Sequence, residues 1–317
     1  MPRNGLQSVV EPPVAKPSLL TCCAAIGGLV PGLIRPRPID RAFLGALDDV
    51  GLPNARAEVQ VLALHQVSRP VPTAILAEGV RRPVLSGNSM TSYLVRHPAA
   101  TFVVDPSICT DVVDRAVAEL PGILRPLVRP PDGVLDICTS LDRVGMSPAD
   151  LDFALPTHLH WDHVSGLLDM PDLPVRVHAP ERAWLMDGVT APVGGVRPSL
   201  EGREIEEFVL DGPPVLTFGR SHDLFGDGSV TLVDLPGHTP GSIGLLLNTA
   251  RGPVLLAGDA AWHHLQIEHV RSKASFPGLL VDADRGEALR TLHRLHAVRS
   301  RVRIVPTHDH DASQALN

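Results

Sequence analysis

The stretch Thr157-His158-Leu159-His160-Trp161-Asp162-His163 restricts this chain more than any other. Three histidines and a carboxylate follow the apolar run Leu151 to Leu155, which reads as a buried strand closed by Pro156. The cluster therefore sits on a loop leaving a strand end. In an extended segment His158 and His160 point to the same side. Asp162 and His163 come after a turn and can face a second point. A lone histidine is more often a surface or hydrogen-bonded core residue than a ligand. Four liganding side chains packed as H-x-H-x-D-H are different, because burying so many titratable groups is costly without a shared partner. One metal ion takes about three or four protein ligands, so four donors here and others downstream suffice for two ions.

The downstream donors lie in Pro236-Gly237-His238-Thr239-Pro240-Gly241-Ser242, Gly258-Asp259-Ala260 and Pro306-Thr307-His308-Asp309. Taken alone, the glycine-rich segment around His238 is as well read as an ordinary loop. In order, and together with the first cluster, the four motifs resemble those of the metallo-β-lactamase-fold hydrolases. The resemblance runs from about Gly87 to Asp311, and the subgroup it is most similar to is the N-acyl-homoserine-lactone lactonases. It implies an α+β fold, an αβ/βα four-layer sandwich with the metals at one edge, here carrying an N-terminal helical extension. It also implies His158, His160 and His238 on a first ion, Asp162, His163 and His308 on a second, and Asp259 bridging them. His310 competes with His308 for the last position, and the family's His-Asp pair favours His308. Zinc is the expected ion, with iron, manganese, cobalt and nickel as alternatives, since imidazole suits several metals.

A bridging hydroxide would then attack a lactone or carboxylic ester carbonyl, with Asp162 or Asp259 orienting it or taking its proton. The chain departs from the lactonase pattern at one position. There a tyrosine commonly follows the bridging aspartate by three residues, whereas Asp259 is followed at that distance by Trp262. Indole donates one hydrogen bond but cannot act as an acid. Trp262 is therefore expected to form a wall of the substrate pocket, and the distant Tyr93 is no obvious substitute. Asp309 and Asp311 are solvated candidates beside the ligands, and His263 and His264 could line the mouth.

Composition bounds the rest. Hydrophobic residues make up 44% of the chain and aromatics 3%, so Leu, Val and Ala must fill the core. A formal net charge of −7 argues against a nucleic-acid partner, which would call for a basic stripe. The cysteines, at 22, 23, 109 and 138, show no metal-binding or disulfide spacing and read as buried free thiols. Residues 1–37 are Pro-rich and Gly-broken. They read as a flexible extension outside the core, too interrupted for a membrane span and without a clear export signal, which favours a cytoplasmic protein. Residues 38–317 would form the hydrolase domain, with 38–80 a helical lead-in and 81–317 the core. Within the lead-in, Pro38 to Val50 and Ala55 to Val67 read as helices that could pack on the main domain or across a homodimer. Further on, strands are expected at 92–96, 101–105, 175–178, 230–235, 242–247, 254–256 and 302–305, with helices at 111–120, 179–186 and 282–298.

Other chemistries on the same ligands are a mononuclear iron sulfur dioxygenase and a thioesterase. The glutathione thioesterase group carries a helical domain after its last ligand, whereas nine residues follow His308 here. A phosphodiesterase would need a basic phosphate-binding surface, which the acidic balance does not supply.

Overall fold

The computed structural model describes residues 19–317 apart from 121, 123 and 131. Its strands, in chain order, are β1 (Gln60–Ala63), β2 (Arg69–Pro72), β3 (Leu85–Asn88), β4 (Tyr93–His97), β5 (Ala100–Val104), β6 (Phe153–Leu155) and β7 (Val175–His178). They continue with β8 (Ile205–Phe208), β9 (Ser221–Asp223), β10 (Val230–Asp234), β11 (Ile243–Thr249), β12 (Gly252–Leu256) and β13 (Arg303–Val305). Six form one sheet in the order β1-β4-β5-β6-β7-β8, and five form a second in the order β13-β12-β11-β10-β9; β2 and β3 pair apart from both.

The period-2 alternation of the strands separates the layers. Along β4, Tyr93 and Val95 face a core shared with Val230, Leu232, Leu245 and Leu256 of the second sheet. Leu94, between them, faces the opposite way, onto Ile137, Leu141 and Leu185 from the helices Ile137–Asp142 and Ala179–Met186. The second sheet does the same. Leu246 and Leu255 turn outward onto Leu292, Leu295 and Val298 of the helix Arg285–Val298. Helices, sheet, sheet and helices thus stack as four layers, the αβ/βα sandwich expected.

Two hairpins follow their local chemistry. β4 and β5 are antiparallel with His97 opposite Ala100, leaving Pro98-Ala99 as the turn. Between β9 and β10, Gly226 and Gly228 take φ of +70° and +78°, the region open to glycine. β5 and β6 run parallel, as do β12 and β13. β10 is antiparallel to β11, which is antiparallel to β12. The carboxyl ends of β10, β12 and β13 therefore share one edge of their sheet, as those of β5 and β6 do in theirs.

The lead-in departs from expectation. Ala55 to Val67 holds no helix; its middle is the edge strand β1, paired with β4. Val59 and Ala63 are buried while Gln60 is exposed, so the β-branched residues gained more from a sheet edge than from a helical face. Of Pro38 to Val50, only Arg41–Gly45 is helical, capped by the Asp40 carboxylate accepting from Phe43 N. The helix expected at 111–120 is broken into Val112–Arg115 and a 3-10 turn, Val117–Glu119. Of the extension, residues 1–18 lie outside the described residues, and Leu19–Ile34 is a helix packed against the segment Ser275–Val281.

Candidate metal centre

Four strand ends deliver the donors. β6 leads to His158 and His160, β10 to His238, β12 to Asp259 and β13 to His308. His160 opens the short helix Trp161–Val164, which carries Asp162 and His163. Three groups of ligand atoms result, each within 4.8 Å of one another: His158, His160 and His238; His158, His163 and Asp259; Asp162, His163 and His308.

The separations fit shared ions. His160 Nδ1 lies 3.1 Å from His158 Nε2 and 2.8 Å from His238 Nε2. Asp259 faces both sides: Oδ2 is 3.3 Å from His238 Nε2, while Oδ1 is 3.2 Å from both His163 Nε2 and His308 Nε2. Asp162 Oδ2 sits 3.4 Å from His308 Nε2. Two ligands on a tetrahedral zinc with bonds of ~2.0–2.1 Å stand roughly 3.3 Å apart.

Satisfaction of the polar atoms provides an independent check. His163 Nε2 and Asp259 Oδ1 are buried and make no hydrogen bond with any described group, although they stand 3.2 Å apart. Buried polar atoms rarely lack partners, and a cation between them would satisfy both. Burial, aided by the neighbouring histidines, holds His158 and His160 well below the usual histidine range. Their imidazoles are thus neutral, as ligation requires. Burial also acts on His163, but the carboxylates of Asp259, Asp105 and Asp162 outweigh it and raise that histidine well above its usual range. Burial would lift Asp259, yet the adjoining His308 and His163 hold its carboxyl well below. The donor set fits divalent ions held by nitrogen and oxygen.

Behind the donors stands a layer that orients them. The His308 ring nitrogen Nδ1 lies 2.8 Å from Ser89 O, an acceptor that fixes Nε2 toward the centre. His163 Nδ1 lies 2.9 Å from Asp105 Oδ2. Asp105 follows β5 at φ +50° and accepts from Thr157 N and Oγ1. His238 Nδ1 is 2.9 Å from Asp282 Oδ1, which also pairs with Lys273 Nζ at 2.7 Å. Burial would raise Asp282, but Lys273 and His238 hold it down at about 2. Glu181 joins the two ligand loops. It is buried and accepts from Leu159 N at 2.9 Å, Thr239 Oγ1 at 2.7 Å and Gly241 N at 3.0 Å. Burial pushes its carboxyl up to about 7 despite those donors.

These four were not singled out from the sequence. Asp105 could have been marked as an Asp-Pro ending an apolar strand. Lys273 could have been marked by usage: Lys16 and Lys273 are the chain's two lysines, where Lys and Arg total 28. Glu181 and Asp282 carry no local signal, since each reads as an ordinary acidic residue beginning a helix.

Trp262 lines the pocket, but its Nε1–H donates to Asp259 Oδ2 at 2.6 Å, so the indole is tied to the central carboxylate. His310 turns to Asp311 instead of the cluster. Asp309 is fully buried rather than solvated; it caps the final helix through Ala312 N and accepts from His264. His263 and His264 gather about Asp309 and do not line the pocket. Tyr93 is buried, its Oη 2.9 Å from Ser313 Oγ, outside the pocket.

The pocket over the donors has a volume of about 310 Å³. His160, Asp162, His238, Asp259 and His308 form its floor, and its walls are mainly apolar, including Leu124, Val128, Phe276 and Leu280.

The sequence profile of the Metallo-beta-lactamase superfamily matches residues 87–308, most of the chain. The chain belongs to this superfamily. It is 28% identical over 234 residues to the N-acyl homoserine lactonase AttM of Azorhizobium caulinodans, covering 69% of this chain and 81% of that one. It is 28% identical over 194 residues to an N-acyl homoserine lactonase of a Bacillus species, covering 61% and 68%. Among solved structures, an N-acyl homoserine lactone hydrolase with N-hexanoyl-L-homoserine bound at its catalytic metal centre superposes with a TM-score of 0.59. That match has 18% identity and covers 83% of this chain and 97% of that one. The superposition shows a shared fold.

Proposed function

We propose that the protein is a dinuclear metal-dependent hydrolase of lactones or carboxylic esters that carry an apolar acyl portion. The observation that carries this reading is Asp259, whose two oxygens face two separate histidine groups at the floor of an apolar pocket. His158, His160 and His238 would hold one ion and Asp162, His163 and His308 the other, with Asp259 between. Bound there, such ions supply a Lewis acid for the carbonyl and lower the pKa of a water toward about 7.

The protein's own groups would do the rest. Asp162 or Asp259 would hold the attacking water in line, and one of them would take its proton. The Trp262 indole keeps Asp259 turned between the two sides. Asp282 and Lys273 fix the His238 ring. The apolar walls bind the acyl chain and exclude bulk water, which strengthens electrostatic interactions at the reacting carbonyl. The second group, with Asp162, His163 and His308, favours two ions over the single iron of a dioxygenase. The lactonase relatives support a lactone as the first substrate to try. The deciding experiment is metal analysis of purified protein together with a panel of lactones, esters and thioesters. Two divalent ions per chain and ring opening of acylated lactones are expected. One iron per chain with oxygen consumption would overturn the reading.

A further inference from the structure

The helix Leu19–Ile34 contains no charged residue. One face rests on the segment Ser275–Val281: Ser275 Oγ donates to Ala25 O at 2.7 Å, and Ala25 is fully buried. The other face is open. Leu20, Ile26, Val30 and Ile34 are 81%, 64%, 62% and 63% exposed, and the exposed positions between them are Cys23, Ala24, Gly27 and Pro31. A helix apolar on every side is normally buried or in contact with lipid, and a continuous apolar patch marks an interaction surface. At 16 residues it would reach only ~24 Å, short of the ~30 Å hydrocarbon core of a bilayer. The described length suits a helix that lies on a membrane surface.

Charge identifies the partner. The chain as a whole is acidic, with a formal charge of −7, yet the sequence has no Asp or Glu between Glu11 and Asp40. That interval contains Lys16, Arg35 and Arg37, and both arginines are exposed. Gly79 packs against Pro36, and the segment leaving it carries the exposed Arg81 and Arg82, followed by Val84 and Leu85, which are 73% and 52% exposed. An apolar stripe with cations at its edge, on an otherwise acidic protein, matches an anionic lipid surface.

We propose that Leu19–Ile34 docks the protein on anionic phospholipid, its open face in the headgroup boundary and its arginines on the phosphates. The segment beneath it contributes Phe276, Pro277, Leu280 and Val281 to the pocket, so one helical layer would separate the bilayer from the apolar wall. The proposal does not depend on which ester is hydrolysed.

The test is co-sedimentation of the full chain with phosphatidylglycerol-containing vesicles and with pure phosphatidylcholine vesicles, alongside analytical ultracentrifugation without lipid. Binding to the anionic vesicles alone is expected. Arg35→Gln should weaken it about fivefold, the effect of one cation near such a surface. Val30→Glu should abolish it, while circular dichroism and hydrolysis of a water-soluble substrate stay unchanged. Should Val30→Glu fail to fold, the Arg35→Gln shift decides by itself. Absence of vesicle binding, equal binding to both vesicle types, or a dimer that Val30→Glu dissociates without any vesicle binding would each overturn the proposal.

Discussion

Glu181 offers a perturbation whose size follows from the structure. Its carboxylate accepts from two backbone N–H groups, Leu159 and Gly241, and from Thr239 Oγ1. The hydroxyl of Thr239 keeps a second partner in Ser242 Oγ. Glu181→Ala therefore strands the two N–H groups, each costing about 1–3 kcal/mol when buried and unpaired. Against this stands the burial of the charge, which raises the carboxyl from 4.5 to about 7. A carboxyl raised in the folded state contributes stability that is fully present below the unfolded value. That contribution is lost as pH rises toward the folded value. That rise corresponds to about 3 kcal/mol. Urea denaturation of chelated wild type and Glu181→Ala should show the variant less stable by about 2–6 kcal/mol near pH 4.5. The gap should shrink by about 3 kcal/mol by pH 8. Titrations common to both proteins largely cancel in the difference. A gap that stays constant across this range would show that the carboxyl is not shifted by burial. A gap under about 1 kcal/mol at the acid end would show that its three hydrogen bonds do not hold the loops together.

Other outcomes test the centre and its surroundings. His160→Ala and His308→Ala should each reduce the metal content from two ions to one, read by plasma mass spectrometry, whereas Asp259→Ala should loosen both; equal retention in all three would disprove a shared site. Trp262→Phe removes the donor to Asp259 Oδ2 and should cost about 10–100-fold in metal affinity or turnover. A change confined to the Michaelis constant would mean that the indole is a wall alone. Lys273→Met leaves Asp282 buried without its cation and should destabilise the fold by about 3–5 kcal/mol in denaturant titrations; a loss below about 1 kcal/mol would contradict the pairing. Leu280→Trp narrows the acyl side of the pocket, so kcat/KM for long-chain acyl lactones should fall relative to short-chain ones, and an unchanged ratio would move the acyl site elsewhere.

The candidate donors were legible because ligation needs particular side chains at close spacing, and H-x-H-x-D-H holds four of them in six residues. The alternation along β4 and β5 is equally local: Leu94 and Val103 face one layer and Tyr93, Val95 and Phe102 the other because successive strand residues must. The turn glycines Gly226 and Gly228 belong to the same class. Tertiary structure decided what depends on neighbours distant in sequence. Gln60–Ala63 became a strand because β4 offered an edge to pair with. Asp309 is buried because the chain brings His264 to it across 45 residues. Glu181 and Asp282 became supports of the centre through contacts 22 to 60 residues away, and short-range patterns carry no trace of such contacts. Residue chemistry fixes which groups can bind an ion; packing fixes which of them are turned, desolvated and held to do so.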